Sequence, residues 1–286
     1  ETMALVKCKE CGKEISSTVK VCPSCGYKKK PSKLTYFIVI ILGVIIGSVY
    51  LTNKHDYSSI ETKVQGQQQE KNLFTEIESN IFRSFIEDEI EVTADGGDSV
   101  VEEIGILVLP PKITADKFQR EYEKNEVKAD SEYKNKTLLV TGKVESIQKD
   151  AFSNLILKLA GGTNMFLSPS ATVKKEYTNW VSALNKGNNV KLVCTGKSFI
   201  VGMATLDDCV PFKNWIENQN LGAKILNDYK NNPEGKTKKL IETVKRVSPE
   251  IDINGSCSTS TYDRKKCLME VSKIIETLQK EKKANK

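Results

Sequence analysis

Leu138-Leu139-Val140-Thr141-Gly142-Lys143-Val144-Glu145 is the stretch on which the fold turns. Leu138, Val140, Gly142 and Val144 alternate with Thr141, Lys143 and Glu145, the period of a half-buried strand. Leu155, Leu157 and Leu159 alternate in the same way with Ile156 and Lys158. After Gly161-Gly162, Met165-Phe166-Leu167 reads as a short third strand. A helix follows, with Tyr177, Trp180, Val181 and Leu184 at i, i+3, i+4 and i+7. Val190, Leu192 and Cys194 make a fourth strand and Met203 to Val210 a fifth. Three strands, a helix and two strands is the chain order of an OB-fold barrel.

Upstream, Thr114 is placed to cap a helix carrying Phe118 and Tyr122. The segment Asn125 to Val144, N-E-V-K-A-D-S-E-Y-K-N-K-T-L-L-V-T-G-K-V, and the later C-T-G at Cys194 to Gly196 resemble the tRNA_anti-like OB-fold proteins of bacterial envelopes. The resemblance runs from Thr114 to Phe212. It implies the fold and not RNA binding, because function lies in sites and not in folds. OB-folds that hold single strands use aromatic platforms for the bases. Only Phe166 and Phe199 fall on the predicted strands, with Phe152 in a turn, and core packing is the expected role of these rings.

At the other end of the chain, K-C-K-E-C-G-K and V-C-P-S-C-G-Y place Cys8, Cys11, Cys22 and Cys25 as two C-x2-C turns. Zinc takes four soft ligands in a tetrahedron, and each turn supplies two thiolates. Gly12 and Gly26 follow the second cysteine of each pair, where a positive φ turns backbone N–H groups toward sulfur. Nearby Lys7, Lys9, Lys13 and Lys20 offset the charge of a tetrathiolate. The expectation is one structural zinc per chain. Met3 to Gly26 resembles the zinc ribbon at the N-terminus of many bacterial membrane proteins. Met3 reads as the start of the chain, with Glu1 and Thr2 as additions.

Between these parts, Leu34 to Thr52 holds nineteen residues without a charge. At about 1.5 Å per residue it is about 28 Å long, the thickness of a bilayer's hydrocarbon. Tyr36 and Tyr50 stand near its ends. Lys28, Lys29, Lys30 and Lys33 precede it, so the positive-inside rule puts the N-terminus in the cytoplasm and residues after 53 outside a bacterial inner membrane. Gly43 and Gly47 form a G-x-x-x-G that allows two such helices to approach closely. Net charge is +5 over residues 1–33, −9 over 53–111 and +10 over 112–286. A basic outer part is compatible with anionic polymers, but a solvated lysine-rich surface is the plainer reading.

The expected organisation is a zinc ribbon at 1–30, a transmembrane helix at 34–52 and an acidic stalk at 53–111. An all-β OB barrel with an inserted helix at 112–212 and a helical C-terminal region at 213–286 complete it. Within the stalk, Leu73, Ile77, Ile81, Phe85 and Ile90 predict an amphipathic helix with Glu76, Glu78, Glu87, Asp88 and Glu89 on its outer side. Asp95-Gly96-Gly97-Asp98 predicts a turn, and Val100 to Leu109 a strand ended by Pro110-Pro111. In the C-terminal region the apolar faces are Trp215, Ile216, Leu221, Ile225 and Leu226, then Leu240, Ile241, Val244 and Val247, then Leu268 to Leu278.

Cys194, Cys209, Cys257 and Cys267 contain no C-x2-C. Their even number and exterior location favour disulfides, one in each domain, with free thiols if the topology is inverted. No Walker, Rossmann or nucleophile-elbow sequence is present, His55 is the only histidine, and neighbouring Asp207 and Asp208 point to opposite faces of a strand. The sequence therefore reads as a binding module, with no catalytic residues, that meets a protein or polymer outside and a partner inside. A cell-surface oligonucleotide-binding protein, which scarce aromatics argue against, and a zinc- or redox-responsive envelope sensor are the alternatives.

Overall fold

The structure is a computed structural model that describes residues 5–7, 12–16, 73–164 and 166–284. Cys8, Cys11, Cys22, Cys25, the apolar run 34–52 with Gly43 and Gly47, and the polar stretch 53–72 lie outside the described residues. Among the described residues no helix is long and apolar enough to cross a membrane. Strands β1 (Leu5–Lys7) and β2 (Glu14–Ser16) form an antiparallel pair with Val6 opposite Ile15.

The chain divides into two compact units. The first contains residues 109–215. Short β3 (Lys112–Thr114) leads into α3 (Ala115–Lys124) and α4 (Glu126–Tyr133). Next come β4 (Thr137–Lys149), β5 (Leu155–Leu159), β6 (Ser170–Val173), α5 (Thr178–Ser182), β7 (Asn189–Ile200) and β8 (Met203–Pro211). β4 pairs antiparallel with β5 and β7, β5 with β6, β6 runs parallel to β8, and β8 returns to β7. These pairings close a five-stranded barrel.

Closure depends on two irregularities that alternation does not announce. β4 pairs with β7 through Thr137–Lys143 and with β5 from Val144 onward, and an extra residue at Glu145 bends it between them. A bulge in one long strand raises its twist and lets it serve two neighbours. The second lies in β8, where Asp208 has φ 51° and the register against β7 slips. Leu206 and Cys209 are therefore both buried, three residues apart. The slip sets Cys209 against Cys194, and the two are joined.

The third strand is Ser170–Val173, and Phe166 and Leu167, the described residues of the strand expected at 165–167, lie in a turn. Ala171 and Val173 point inward, and Asn164 Oδ1 accepts from the Phe166 N–H to fix the turn before them. Gly196 explains one of the family-like motifs. A Cβ there would stand 2.2 Å from the carbonyl oxygen of Tyr133, because the α4–β4 turn runs against β7 at this point.

The second unit joins described residues 73–108 to 216–284. It holds α1 (Glu76–Asp95), α2 (Val100–Glu103), α7 (Leu221–Asn231), α8 (Lys238–Val247) and α9 (Arg264–Ala284). Between the barrel and α7 lies α6 (Phe212–Glu217). α1 opens on a Thr75–Glu78 capping box and stops at left-handed Gly96, as its turn residues demand. It packs on α7, α8 and α9, so the helix read as part of a stalk belongs to one helical body with the C-terminal region. Val100–Leu109 forms no strand. Ser99 caps α2 by accepting from the Glu102 N–H, and Glu89 accepts from the Ser99 hydroxyl and the Val101 N–H. This use draws Glu89 inside, where it is fully buried, against its expected outer position. Glu78 is buried too. Cys257 and Cys267 are joined, and Asn80 on α1 donates to the Cys257 carbonyl oxygen.

Candidate binding face of the barrel

On β5, Leu155, Leu157 and Leu159 fill the barrel while Ile156 and Lys158 face outward. The strand is about 17 Å long at the usual rise. A phenylalanine stands beyond each end of it. Phe152 is 81% exposed and Phe166 83% exposed.

Both rings are presented by the same local device. Asp150 Oδ1 accepts from the Phe152 and Asn154 N–H groups at 2.8 Å. Asn164 Oδ1 accepts from the Phe166 N–H at 2.9 Å. A side-chain carboxylate or amide bonding its own backbone two residues on fixes a turn, so each ring projects from an ordered loop. The bonds from the Asn154 backbone and side chain hold the Asp150 carboxyl below its ordinary range. Core packing, the expected role of these rings, applies only to Phe199, which stacks on Tyr122 at 5.7 Å. The readable signal was the Asp-x-Phe and Asn-x-Phe spacing.

A third apolar group lies at the β7–β8 hairpin. Val201 is 82% exposed and Ile200 is 55% exposed. Val201 has φ 50° and Gly202 φ 78°, the two positive values of a tight hairpin turn. A β-branched residue in the left-handed region is strained, and strain of this kind concentrates at functional sites.

α3 holds the Gly162–Thr163 loop and the β7–β8 hairpin in place. Fully buried Gln119 donates to the Gly202 carbonyl oxygen at 2.7 Å and accepts from the Ala204 N–H at 2.8 Å. Glu123 accepts from the Thr163 N–H at 3.0 Å and its hydroxyl at 2.8 Å, and Asp116 accepts from the Gly162 N–H at 3.0 Å. Burial pushes the Glu123 carboxyl upward, but the bonds from Gln119 and Thr163 outweigh it and hold the group below its ordinary range.

Between the loops the face is polar and close-fitted. Lys158 Nζ lies 2.9 Å from Met203 Sδ, and Ser168 donates to Glu145. Burial lowers the Lys158 amine, and the Glu145 charge works in the other direction. The face offers apolar contacts, one partly desolvated amine and a row of outward Ser170, Thr172 and Thr205. Lys158 and Met203 were missed as site residues because strand alternation marks them only as exposed.

Asp207 and Asp208 do not form a paired site. Asp208 leaves the strand conformation at the bulge, and Asp207 lies 4.0 Å from Lys197. For the N-terminal cysteines, the described β1 and β2 stand on either side of residues 8–11 in the sequence, and Gly12 has φ 69°, the left-handed value a thiolate knuckle uses. The donor set of four cysteines at C-x2-C spacing fits zinc. Among the described residues there is no cluster of metal-ligating side chains.

A five-stranded barrel of this order, with its loops and β5–β6 surface exposed, defines an OB-type binding fold. The tRNA_anti-like family model matches residues 33–210, more than half of the chain, and the chain belongs to that family. A zinc-ribbon domain model matches residues 7–29. The family match begins well before the barrel and takes in α1 and α2. Among solved structures, one described as that of a "putative nucleic acid-binding lipoprotein from Klebsiella pneumoniae subsp. pneumoniae" is 20% identical. The match covers 35% of this chain and 91% of the other, with a TM-score of 0.29. No curated protein matches.

Proposed function

We propose that the chain is a membrane-anchored binding protein whose OB barrel takes an extended polymer or polypeptide across β5 and β6. One observation carries this reading. Phe152, Phe166 and Val201, each more than four-fifths exposed, are held by fixed turns on the loops bordering that face. An interaction surface is marked by exposed apolar groups gathered at one face, which scattered single residues are not, and Gly202 beside Val201 packs close to Leu167, next to Phe166. The barrel acts by binding, with Lys158 supplying a polar contact between the apolar ones. The test is binding by the full chain in phospholipid nanodiscs, comparing wild type with Phe152→Ala/Phe166→Ala. Loss of binding with an unchanged melting profile is expected, and retained binding rejects the site.

The anchor is the uncharged run 34–52, supported by its length and the lysines before it. The reading has the ribbon in the cytoplasm and the barrel outside. A thiol introduced at 60 should react with an impermeant reagent in intact cells, and one introduced at 30 should not. Cys8, Cys11, Cys22 and Cys25 hold one structural zinc, supported by the ribbon match and by Gly12. Zinc supplies the ribbon's folding free energy, so a chelator should unfold it. Elemental analysis of reduced protein without zinc would sink this assignment.

The exposed phenylalanines also favour a second reading, a single-stranded oligonucleotide stacked on the two rings. Phosphate contacts weaken steeply with salt. Binding of oligo-dT that falls more than tenfold between 50 and 200 mM salt would select this reading over the first.

A further inference from the structure

α1, α2, α8 and α9 leave between them a cleft of about 60 Å³. Its floor is hydrocarbon, from Ile81, Phe85, Val100, Val244, Val271 and Ile275. Half-buried Ile104, Leu240 and Thr243 form its mouth, and Thr243 is the only uncharged polar side chain in the lining. The two charged residues that line it are both cationic, Lys236 and Lys239. Lys236 donates to the Gly105 carbonyl oxygen at 3.1 Å and lies 4.0 Å from Asp228. Neighbouring Lys238 pairs with Glu234 and Glu242. The Lys239 side chain has no hydrogen bond or ion pair among the described residues.

We propose that this cleft binds a medium-chain fatty-acid anion, its alkyl chain against Ile81, Phe85 and Val271 and its carboxylate at Lys239. Three features select that chemistry. The floor offers no hydrogen-bond partner, so the buried part of the ligand is hydrocarbon, where each methylene is worth about fourfold in affinity. No acidic side chain lines the cleft and the mouth is cationic, so the head is an anion. The space equals a few water positions, which takes a short alkyl run but neither the two chains of a phospholipid nor the anchors of a partner helix spread over two turns.

The test uses the full chain in nanodiscs of zwitterionic phospholipid, since detergent would compete for the cleft. The probe is octanoate carrying a mid-chain diazirine, with adducts mapped by peptide mass spectrometry. Adducts on 236–247 and 268–275 are expected, displaced by octanoate and at least tenfold less well by octylammonium. Lys239→Gln, a half-exposed change that leaves the core intact, should reduce labelling about fivefold. Thr243→Trp should abolish it, with hydrogen exchange in α8 reporting whether the fold survives. Equal displacement by octylammonium, adducts confined to other segments, or labelling indifferent to Lys239→Gln would each overturn the proposal. So would photo-leucine at 240 that crosslinks to protein, whether a second copy or another chain, in place of octanoate.

Discussion

The barrel and the helical unit spend their polar groups in opposite ways. In the barrel, Asp150, Asn164 and Glu123 sit at the surface and bind loop backbone, while Phe152, Phe166 and Val201 stand in water. In the helical unit the acids go inward. Glu89 is fully buried with one carboxylate oxygen unpartnered, and Asp88 Oδ2 and Thr93 Oγ1 are also buried without partners. The barrel thus uses polar side chains to keep loops ordered and apolar groups exposed, as a binding face requires. The helical unit uses Glu89 to hold α2 against α1, which ties its stability to a titratable group.

Damage to the core of one unit should leave the other folded. Phe118 is fully buried and meets Tyr122 and Tyr133 edge-on at 5.2 and 5.6 Å. Phe118→Ala should cost the barrel about 4 kcal/mol. Hydrogen exchange read by segment should show lost protection in 137–211 and little change in α1, α8 and α9. Equal loss in both would mean that the units fold as one.

Acidity should do the reverse. Burial pushes the Glu89 carboxyl up from 4.5 to about 7, while bonds from Ser99 and Val101 work downward. Burial also raises Asp88, against the pull of Arg264. The folded state therefore holds a proton on Glu89 that the unfolded chain has released. Stability from this group is complete below about pH 4.5 and lost as pH rises through about 7. The expected loss for the helical unit is about 3 kcal/mol. Thermal unfolding between pH 4.5 and 8 should show it, and Glu89→Gln should flatten the profile. Stability that rises over that window would refute the assignment.

How far the sequence reached differs between the units for a physical reason. A strand's period of two is rigid, so Leu155, Leu157 and Leu159 announced their side, and the five-strand order followed. The bulges at Glu145 and Asp208 were not legible, because an inserted residue changes the register without changing composition. The third strand was misplaced because Ser170-Ala171-Thr172-Val173 is short and its small residues carry little apolar signal. In the helical unit, periodicity identified α1 and the faces of α7, α8 and α9. It put Glu89 outside because no local pattern shows that a carboxylate will cap another helix ten residues on. The same limit hid the pairing of α1 with the C-terminal helices. At the candidate face, Phe152 and Phe166 read as core because they are aromatic, and only their spacing from Asp150 and Asn164 indicates otherwise.

The disulfides sharpen the contrast at a similar scale. Cys194–Cys209 closes a loop of 15 residues, for which the chain-entropy model gives about 3 kcal/mol. Cys194→Ala/Cys209→Ala should lower the barrel's denaturation midpoint and spare the helical unit, and Cys257→Ala/Cys267→Ala should do the opposite. A smaller effect is expected at the hairpin. Val201→Gly relieves the positive φ and should stabilise the barrel by up to about 1 kcal/mol while weakening binding. Weaker binding with unchanged stability would leave the side chain's role intact but remove the strain.

The central claim, that the surface around β5 is the binding face, is tested most directly by site-specific photocrosslinking in cells that make the protein. Benzoylphenylalanine would replace Phe152, Phe166 and, as a control, Val127 on α4, an apolar residue in the same unit that is 83% exposed. Adducts to one macromolecule from 152 and 166, and none from 127, are expected. Adducts of equal yield from 127, or none from either phenylalanine position, would contradict it.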